Sequence, residues 1–270
     1  IEPESGALGS GDSGVGRLPS PEEIARRALA ILGGSDEAAV GTSLAGKTLV
    51  VTAGGTREPI DPVRFLGNKS SGRQGLAIAA AAARAGARVR VIAANIDDSV
   101  MACLPSSVEV TRVGSAQQMR EATLAQVRGA DALVMTAAVA DFRPEATHAS
   151  KMKKDPSTSD APTLRLVRNP DILSEVGHSV TRPPLVVGFA AETGTDEQIL
   201  AYGADKAARK GADYIALNRV GAGVGFGDVP NDIRLLDASG AIVGRYTGSK
   251  DEVAAGLVGH MASFLDNLKR

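Results

Sequence analysis

Three lysines, Lys151, Lys153 and Lys154, fall within four residues (KMKK) inside Phe142 to Pro162, a stretch with no hydrophobic period. Lysines on such a segment suit a lid that closes over a polyphosphate and balances the charge of a departing pyrophosphate, although a solvated basic loop has the same composition. Earlier in the chain, Asn68, Ser70, Ser71 and Gly72 lead into the small apolar run GLAIAAAAARAGA. Short polar side chains ahead of a helix either cap it or, with its first-turn N–H groups and dipole, hold an anion. Gly72 and Gly75 admit a ligand or a neighbouring strand. A third group is Met135-Thr136-Ala137-Ala138-Val139-Ala140-Asp141. Its small residues let a flat base or a substrate backbone come close, and Asp141 either holds Mg²⁺ carried by phosphates or caps a turn. Asn169-Pro170-Asp171-Ile172 opens a helix, with Asn169 the expected cap and the amides turned to a ligand. Phe189 is one of five phenylalanines and can lie against a base. Lys206 and Lys210, one helical turn apart, share a face that meets either phosphate or solvent.

The elements that must position these residues alternate. Strands are predicted at Thr48–Ala53, Arg88–Ala93, Val108–Arg112, Ala132–Met135, Leu185–Phe189 and Tyr214–Ala216. Helices are predicted at Gly72–Ala85, Ala116–Val127, Pro170–Ser179, Asp196–Lys210 and Asp251–Leu268. This order gives an α/β fold: a Rossmann-like, doubly wound, mostly parallel sheet with helices on both faces. Asp232–Asp237 and Ile242–Tyr246 flank Ala-Ser-Gly and add a C-terminal β-hairpin. The segment from Gly54 to Ser71 is expected to be one long loop. The first seventeen residues, Gly/Ser-rich and acidic, are expected to be mobile, and Pro19–Gly34 to form a short helix with Ser20 as cap. Residues 1–46 thus form a linker, with the compact domain at 47–270.

Composition narrows the class. Aromatic content of 3% without Trp means a core of Ala, Val, Leu and Ile, as in covered parallel sheets. Thirty basic against 31 acidic residues leave no excess to draw nucleic acid or a membrane. The single Cys103 fits a reducing, cytoplasmic setting and reads as a buried or incidental thiol. No His/Cys grouping has zinc spacing, and no signal peptide or membrane span is expected. A nicotinamide-dependent oxidoreductase is the rival reading, but the first strand gives GGTREP in place of G-x-G-x-x-G. The second strand ends in Ala94-Asn95, with no acid for a ribose.

Together GGTREPIDPVRFLGNKSSGRQG, TAAVADFRP, KMKK, NPDIL and VGFAAET resemble the phosphopantothenate–cysteine ligase family, the C-terminal half of the bacterial bifunctional coenzyme A biosynthesis protein, from about Lys47 to Arg270. The resemblance implies a ligase that activates 4′-phosphopantothenate with CTP and Mg²⁺, giving an acyl-cytidylate that L-cysteine captures. It implies that Lys151 and Asn68 act in catalysis. Met135, Thr136, Ala137, Asp141, Lys151, Asn169, Pro170, Asp171, Ile172, Phe189, Lys206 and Lys210 would line the CTP site, and Asn68, Ser70, Ser71 and Gly72 the phosphopantothenate site. Asp141 is the Mg²⁺ candidate. A homodimer with sites shared across its interface is implied, as is a flavin-dependent decarboxylase half in the full-length protein; the chain, beginning with Ile, is expected to be a fragment without flavin. Arg219 stands where an acidic residue is frequent in the family, so no acidic contact is expected there.

Overall fold

The computed structural model describes residues 43–153, 161–192, 195–219 and 231–268, together with the backbone of two short strands near the start. The chain forms two units, Ile1–Ser43 and Leu44–Arg270. In the first, β1 (Glu4–Ala7) pairs antiparallel with β2 (Ser13–Arg17), where composition had suggested mobility and no element. The helix expected at Pro19–Gly34 and the terminal lysine of KMKK, Lys154, lie outside the described residues.

The second unit runs β3 (Thr48–Gly54), β4 (Arg57–Asp61), β5 (Arg64–Gly67), α1 (Arg73–Arg84), β6 (Arg88–Ala94), α2 (Asp98–Met101), β7 (Glu109–Val113), α3 (Ala116–Gln126) and β8 (Ala132–Met135). It continues with β9 (Phe142–Pro144), β10 (Leu166–Arg168), α4 (Ile172–Gly177), β11 (Leu185–Glu192), α5 (Asp196–Lys210), β12 (Tyr214–Arg219), β13 (Asn231–Asp237), β14 (Ile242–Gly248) and α6 (Lys250–Asn267). Eight strands form one sheet in the order β14-β13-β12-β11-β8-β3-β6-β7. From β7 to β12 all neighbours are parallel; β13 and β14 add antiparallel at the β12 edge, the expected hairpin.

Burial on both faces explains the unbroken apolar strands. On one face Leu49, Val51, Val91, Val134 and Val187 pack under α1 and α6; on the other Val50, Ile92, Leu133 and Val186 pack under α3, α4 and α5. Seven consecutive buried residues, Leu76 to Ala82, let α1 lie close to the strands and to α6. Each fully buried Leu, Ile or Val contributes roughly 1.5–3 kcal/mol. No helix among the described residues is long and apolar enough to cross a membrane.

Two stretches differ from expectation. The Gly54 to Ser71 loop contains the antiparallel hairpin β4–β5. At its turn Asp61 Oδ1 accepts from the amides of Val63 and Arg64, both 2.9 Å, with Pro62 in the second turn position. The aperiodic stretch after Asp141 begins as β9, which pairs with β10. Phe142, Leu164 and Leu166, like Val63, Phe65 and Leu66, remain exposed, so an inward/outward alternation has no core to record there.

Candidate active site

The six parallel strands lie in the spatial order 3-2-1-4-5-6 of their appearance along the chain, so the crossover direction reverses between β3 and β8. A crevice opens beyond the carboxyl ends of strands at such a reversal, where ligands of open α/β sheets bind. Two cavities lie there, of about 460 and about 520 Å³. Ala137, Val139, Asp141, Phe189 and Lys206 line both and form a shared wall.

Two buried threonines of the first strand and its extension hold that wall. Thr52 and Thr56 are fully buried. Thr52 Oγ1 accepts from the Ala137 amide at 3.2 Å, and Thr56 Oγ1 accepts from the Ala140 amide at 2.9 Å. Between them, Ala138 N–H donates to Gly54 O at 2.8 Å, and Thr56 N–H donates to Ala138 O at 3.2 Å. A segment leaving a strand would otherwise bury unpaired amides, so these bonds fix where Asp141 emerges. Asn68 adds a longer tie, Nδ2 to Val139 O at 3.3 Å.

Asn68, Ser70, Ser71 and Gly72 all line the first cavity and none lines the second. Of the two alternatives, cap or anion site, the side-chain cap is absent. Gly72 is the N-cap of α1, with φ of 77°, and no side chain caps the helix. A β-carbon on Gly72 would fall 2.8 Å from Ile96 Cγ1, and one on Gly75 would fall 2.7 Å from Ala53 Cβ. The two glycines therefore bring α1 against the ends of the strands. Without a side-chain cap, the first turn faces the cavity with its dipole available to an anion.

Met135, Asn169, Pro170, Asp171, Ile172 and Lys210 line the second cavity only, whereas Thr136 lines only the first. Helix α4 is capped by Asp171, whose side chain accepts from the Ser174 amide, and not by Asn169. Asn169 is otherwise engaged: its backbone amide donates to Asp141 O and its Nδ2 to Ala140 O, both 2.8 Å, and the helix is shorter than expected at both ends. Lys210 pairs with Asp171, and Lys206 lies 3.7 Å from Glu192. Burial pushes the Asp171 carboxyl up, but Lys210 and the Ser174 amide outweigh it and hold the group below its ordinary value.

Lys151 lines neither cavity. The chain beside it is anchored at the β4–β5 turn, where Met152 N–H donates to Asp61 Oδ2 at 3.1 Å and Met152 O accepts from Arg64 Nη2 at 3.0 Å. The Arg64 guanidinium holds the Asp61 carboxyl well below the usual range. Cys103 is exposed, not buried, and lies in neither cavity. Asn95 occupies the end of the second strand, where a dinucleotide fold places an acid. Its Nδ2 donates to Gly55 O (2.9 Å) and Gly114 O (2.8 Å), which supports its positive φ of 50°. It is thus committed to backbone and offers no ribose carboxylate.

Among the described residues no three His, Cys, Asp or Glu side chains gather as a metal site. The exposed carboxylate of Asp141 suits a hard cation that arrives on phosphates, since Mg²⁺ is often bound by one or two carboxylates and its substrate.

Several lining residues were not singled out from the motifs. Lys69, Arg73, Gln74, Asn218, Asn231 and Lys250 complete the first cavity, and Arg168 and Arg209 the second. Asn218 ends a parallel strand and was legible by the carboxyl-end rule. Asn231 and Lys250 come from the antiparallel addition, for which no rule names a ligand-facing end.

Residues 44–265 match the DNA/pantothenate metabolism flavoprotein C-terminal domain. The coenzyme A biosynthesis bifunctional protein CoaBC of Mycobacterium tuberculosis (strain ATCC 25618 / H37Rv) is 44% identical over 271 residues, 98% of this chain and 63% of that protein. The chain thus spans about three-fifths of that relative's length. The crystal structure of the C-terminal domain of a coenzyme A biosynthesis bifunctional protein CoaBC is similar, with a TM-score of 0.65 at 30% identity, covering 84% of this chain and 99% of that one. A Cab2 variant solved in complex with phosphopantothenate-cysteine shares the fold, with a TM-score of 0.61 at 14% identity over 93% of this chain and 97% of that one. The twin-cavity crevice therefore sits on a known scaffold: the chain belongs to the DNA/pantothenate metabolism flavoprotein C-terminal domain family.

Proposed function

We propose that this domain joins 4′-phosphopantothenate to L-cysteine through an acyl-cytidylate, consuming CTP and releasing CMP and pyrophosphate. The observation that carries the reading is the division of the motif residues: the group assigned to the phosphorylated acid lines one cavity, much of the nucleotide group lines the other, and the two meet at Ala137, Asp141, Phe189 and Lys206. Positioning two anions there is the main task, because the chemistry needs in-line attack and charge compensation more than a strong base.

In the first step a carboxylate oxygen of the acid attacks the α-phosphorus, and the bond to the β-phosphate oxygen breaks. In the second, the cysteine amine attacks the acyl carbon, CMP leaves with the bridging oxygen, and the amine loses a proton. Lys69, Arg73 and the first turn of α1 would take the acid's phosphate, while Arg168 and Lys210 of the second cavity, with Lys206 of the shared wall, would meet the polyphosphate. Phe189 offers the base a ring, and Asn68 stands beside the reacting acyl group. Mg²⁺ bound with the triphosphate would neutralise its charge next to Asp141. Lys151 would act on the triphosphate only once its segment leaves the anchorage of Met152 at the β4–β5 turn. The choice of CTP follows the family resemblance.

The family resemblance carries the homodimer as the working form, and the exposed apolar residues of the β4–β5 and β9–β10 hairpins are the face we assign to it. In the full-length protein a decarboxylase half would supply the neighbouring reaction. Incubation with phosphopantothenate, Mg²⁺ and each nucleoside triphosphate in turn, followed by mass spectrometry, tests the reading. A cytidylate adduct that cysteine converts to the amide is expected; no adduct with any nucleotide, or tight NADH binding without pyrophosphate release, would overturn it.

A further inference from the structure

The side of the first cavity built by β12, β13 and α6 carries a feature that anion binding does not explain. The backbone carbonyl of Lys250 accepts from Gln74 Nε2 at 3.4 Å. A carbonyl only accepts, so Gln74 turns its NH₂ group there and its Oε1 the other way. That Oε1 accepts from Asn231 Nδ2 at 2.6 Å. The relay fixes the orientation of both amides and leaves Asn231 Oδ1 as an acceptor facing away from Gln74. Asn231 is only 4% exposed, yet Oδ1 has no partner. Asn218 Oδ1, on the neighbouring strand and lining the same cavity, is likewise buried without a partner. The third such oxygen among the described residues, Gln126 Oε1, lines neither cavity.

Buried carbonyl oxygens are almost always paired, and an unpaired one is costly unless something supplies the donor. We infer that Asn231, with Asn218, is a specificity element that accepts a hydrogen bond from an uncharged donor, a hydroxyl or an amide N–H, in the middle of the phosphorylated acid. This rests on the proposed function, because 4′-phosphopantothenate carries both groups between its phosphate and its carboxylate. A pocket that recognised only the two charged ends would accept any acid of the right length; an oriented acceptor rejects one whose middle is apolar.

The test is calorimetric binding of 4′-phosphopantothenate and two analogues, one with the hydroxyl replaced by hydrogen and one with the amide N-methylated. The unmodified chain should bind at least one analogue about tenfold more weakly. In Asn231→Leu the natural acid should fall to that analogue's affinity while the analogue itself is unchanged. Asn218→Leu is read in the same way if Asn231→Leu fails to fold, and the comparison on the unmodified chain needs no variant. Equal binding of all three ligands, or an equal loss for all three on substitution, would overturn the inference while leaving the proposed function standing. No binding of phosphopantothenate at all would bring down the function and this inference with it.

Discussion

Replacing Thr56 by Val probes how the shared wall is held. Thr56 is fully buried and Ala140 is 4% exposed, so water cannot replace the 2.9 Å bond from the Ala140 amide. Valine keeps the branched shape and the strand preference but offers no acceptor, leaving one buried N–H unpaired at a cost of about 1–3 kcal/mol. At a urea slope of about 2–3 kcal/mol/M, a loss near ~2 kcal/mol lowers the unfolding midpoint by about 0.7–1 M with the slope unchanged. Hydrogen exchange should localise the effect, with the Ala140 amide losing protection ahead of the strands. Because Asp141 follows directly and lines both cavities, half-saturation for both the acid and the nucleotide should rise together. Thr56→Ser, which keeps the hydroxyl, should recover most of the loss. A valine variant with an unchanged midpoint and a still-protected Ala140 amide would refute the view that this hydroxyl pins the wall.

Four further outcomes follow. Lys151→Gln should cut CTP-dependent pyrophosphate release about a hundredfold or more, while an unchanged rate would remove this lysine from the mechanism. Lys210→Met should weaken CTP binding about tenfold and let burial raise the Asp171 carboxyl, seen by ¹³C NMR titration; an unmoved Asp171 would show that the pair does not control it. Asp61→Asn should destabilise the chain at neutral pH. A carboxyl lowered in the folded state adds stability that is fully present above its unfolded value near ~4 and is lost as pH falls through the folded value, so the gap to wild type should be constant from about pH 5 to about pH 8 and close only on strong acidification. A gap that closed near neutrality would contradict this. Phe65→Asp, at a residue that is 52% exposed, should shift sedimentation from dimer to monomer; an unaltered profile would place the interface elsewhere.

The central sheet was legible because its strands are buried on both faces and read as apolar runs, with TLVVTAG and ALVM showing it plainly. The peripheral hairpins were not, since Phe65, Leu66, Phe142 and Leu166 are exposed and Pro59 lies inside β4. The Asp61-Pro62 turn signal was available inside the supposed loop. At the site, motif residues before α1 and after β8 converge because the carboxyl-end rule applies to them. Capping was misplaced at α4, where the Asn169 side chain is engaged by Ala140 O and Asp171 caps instead; at α1 the left-handed Gly72 excludes the side-chain cap that was one of two alternatives. The pairing of Asn231 with Gln74 was invisible because they meet only through tertiary structure, 157 residues apart.

The most direct measurement of nucleotidyl activation is the fate of oxygen. Phosphopantothenate labelled with ¹⁸O in its carboxylate should pass one label to CMP during amide formation, because the oxygen that attacks the α-phosphorus leaves with it. Unlabelled CMP, or label found in inorganic phosphate, would contradict an acyl-cytidylate formed where the two cavities meet.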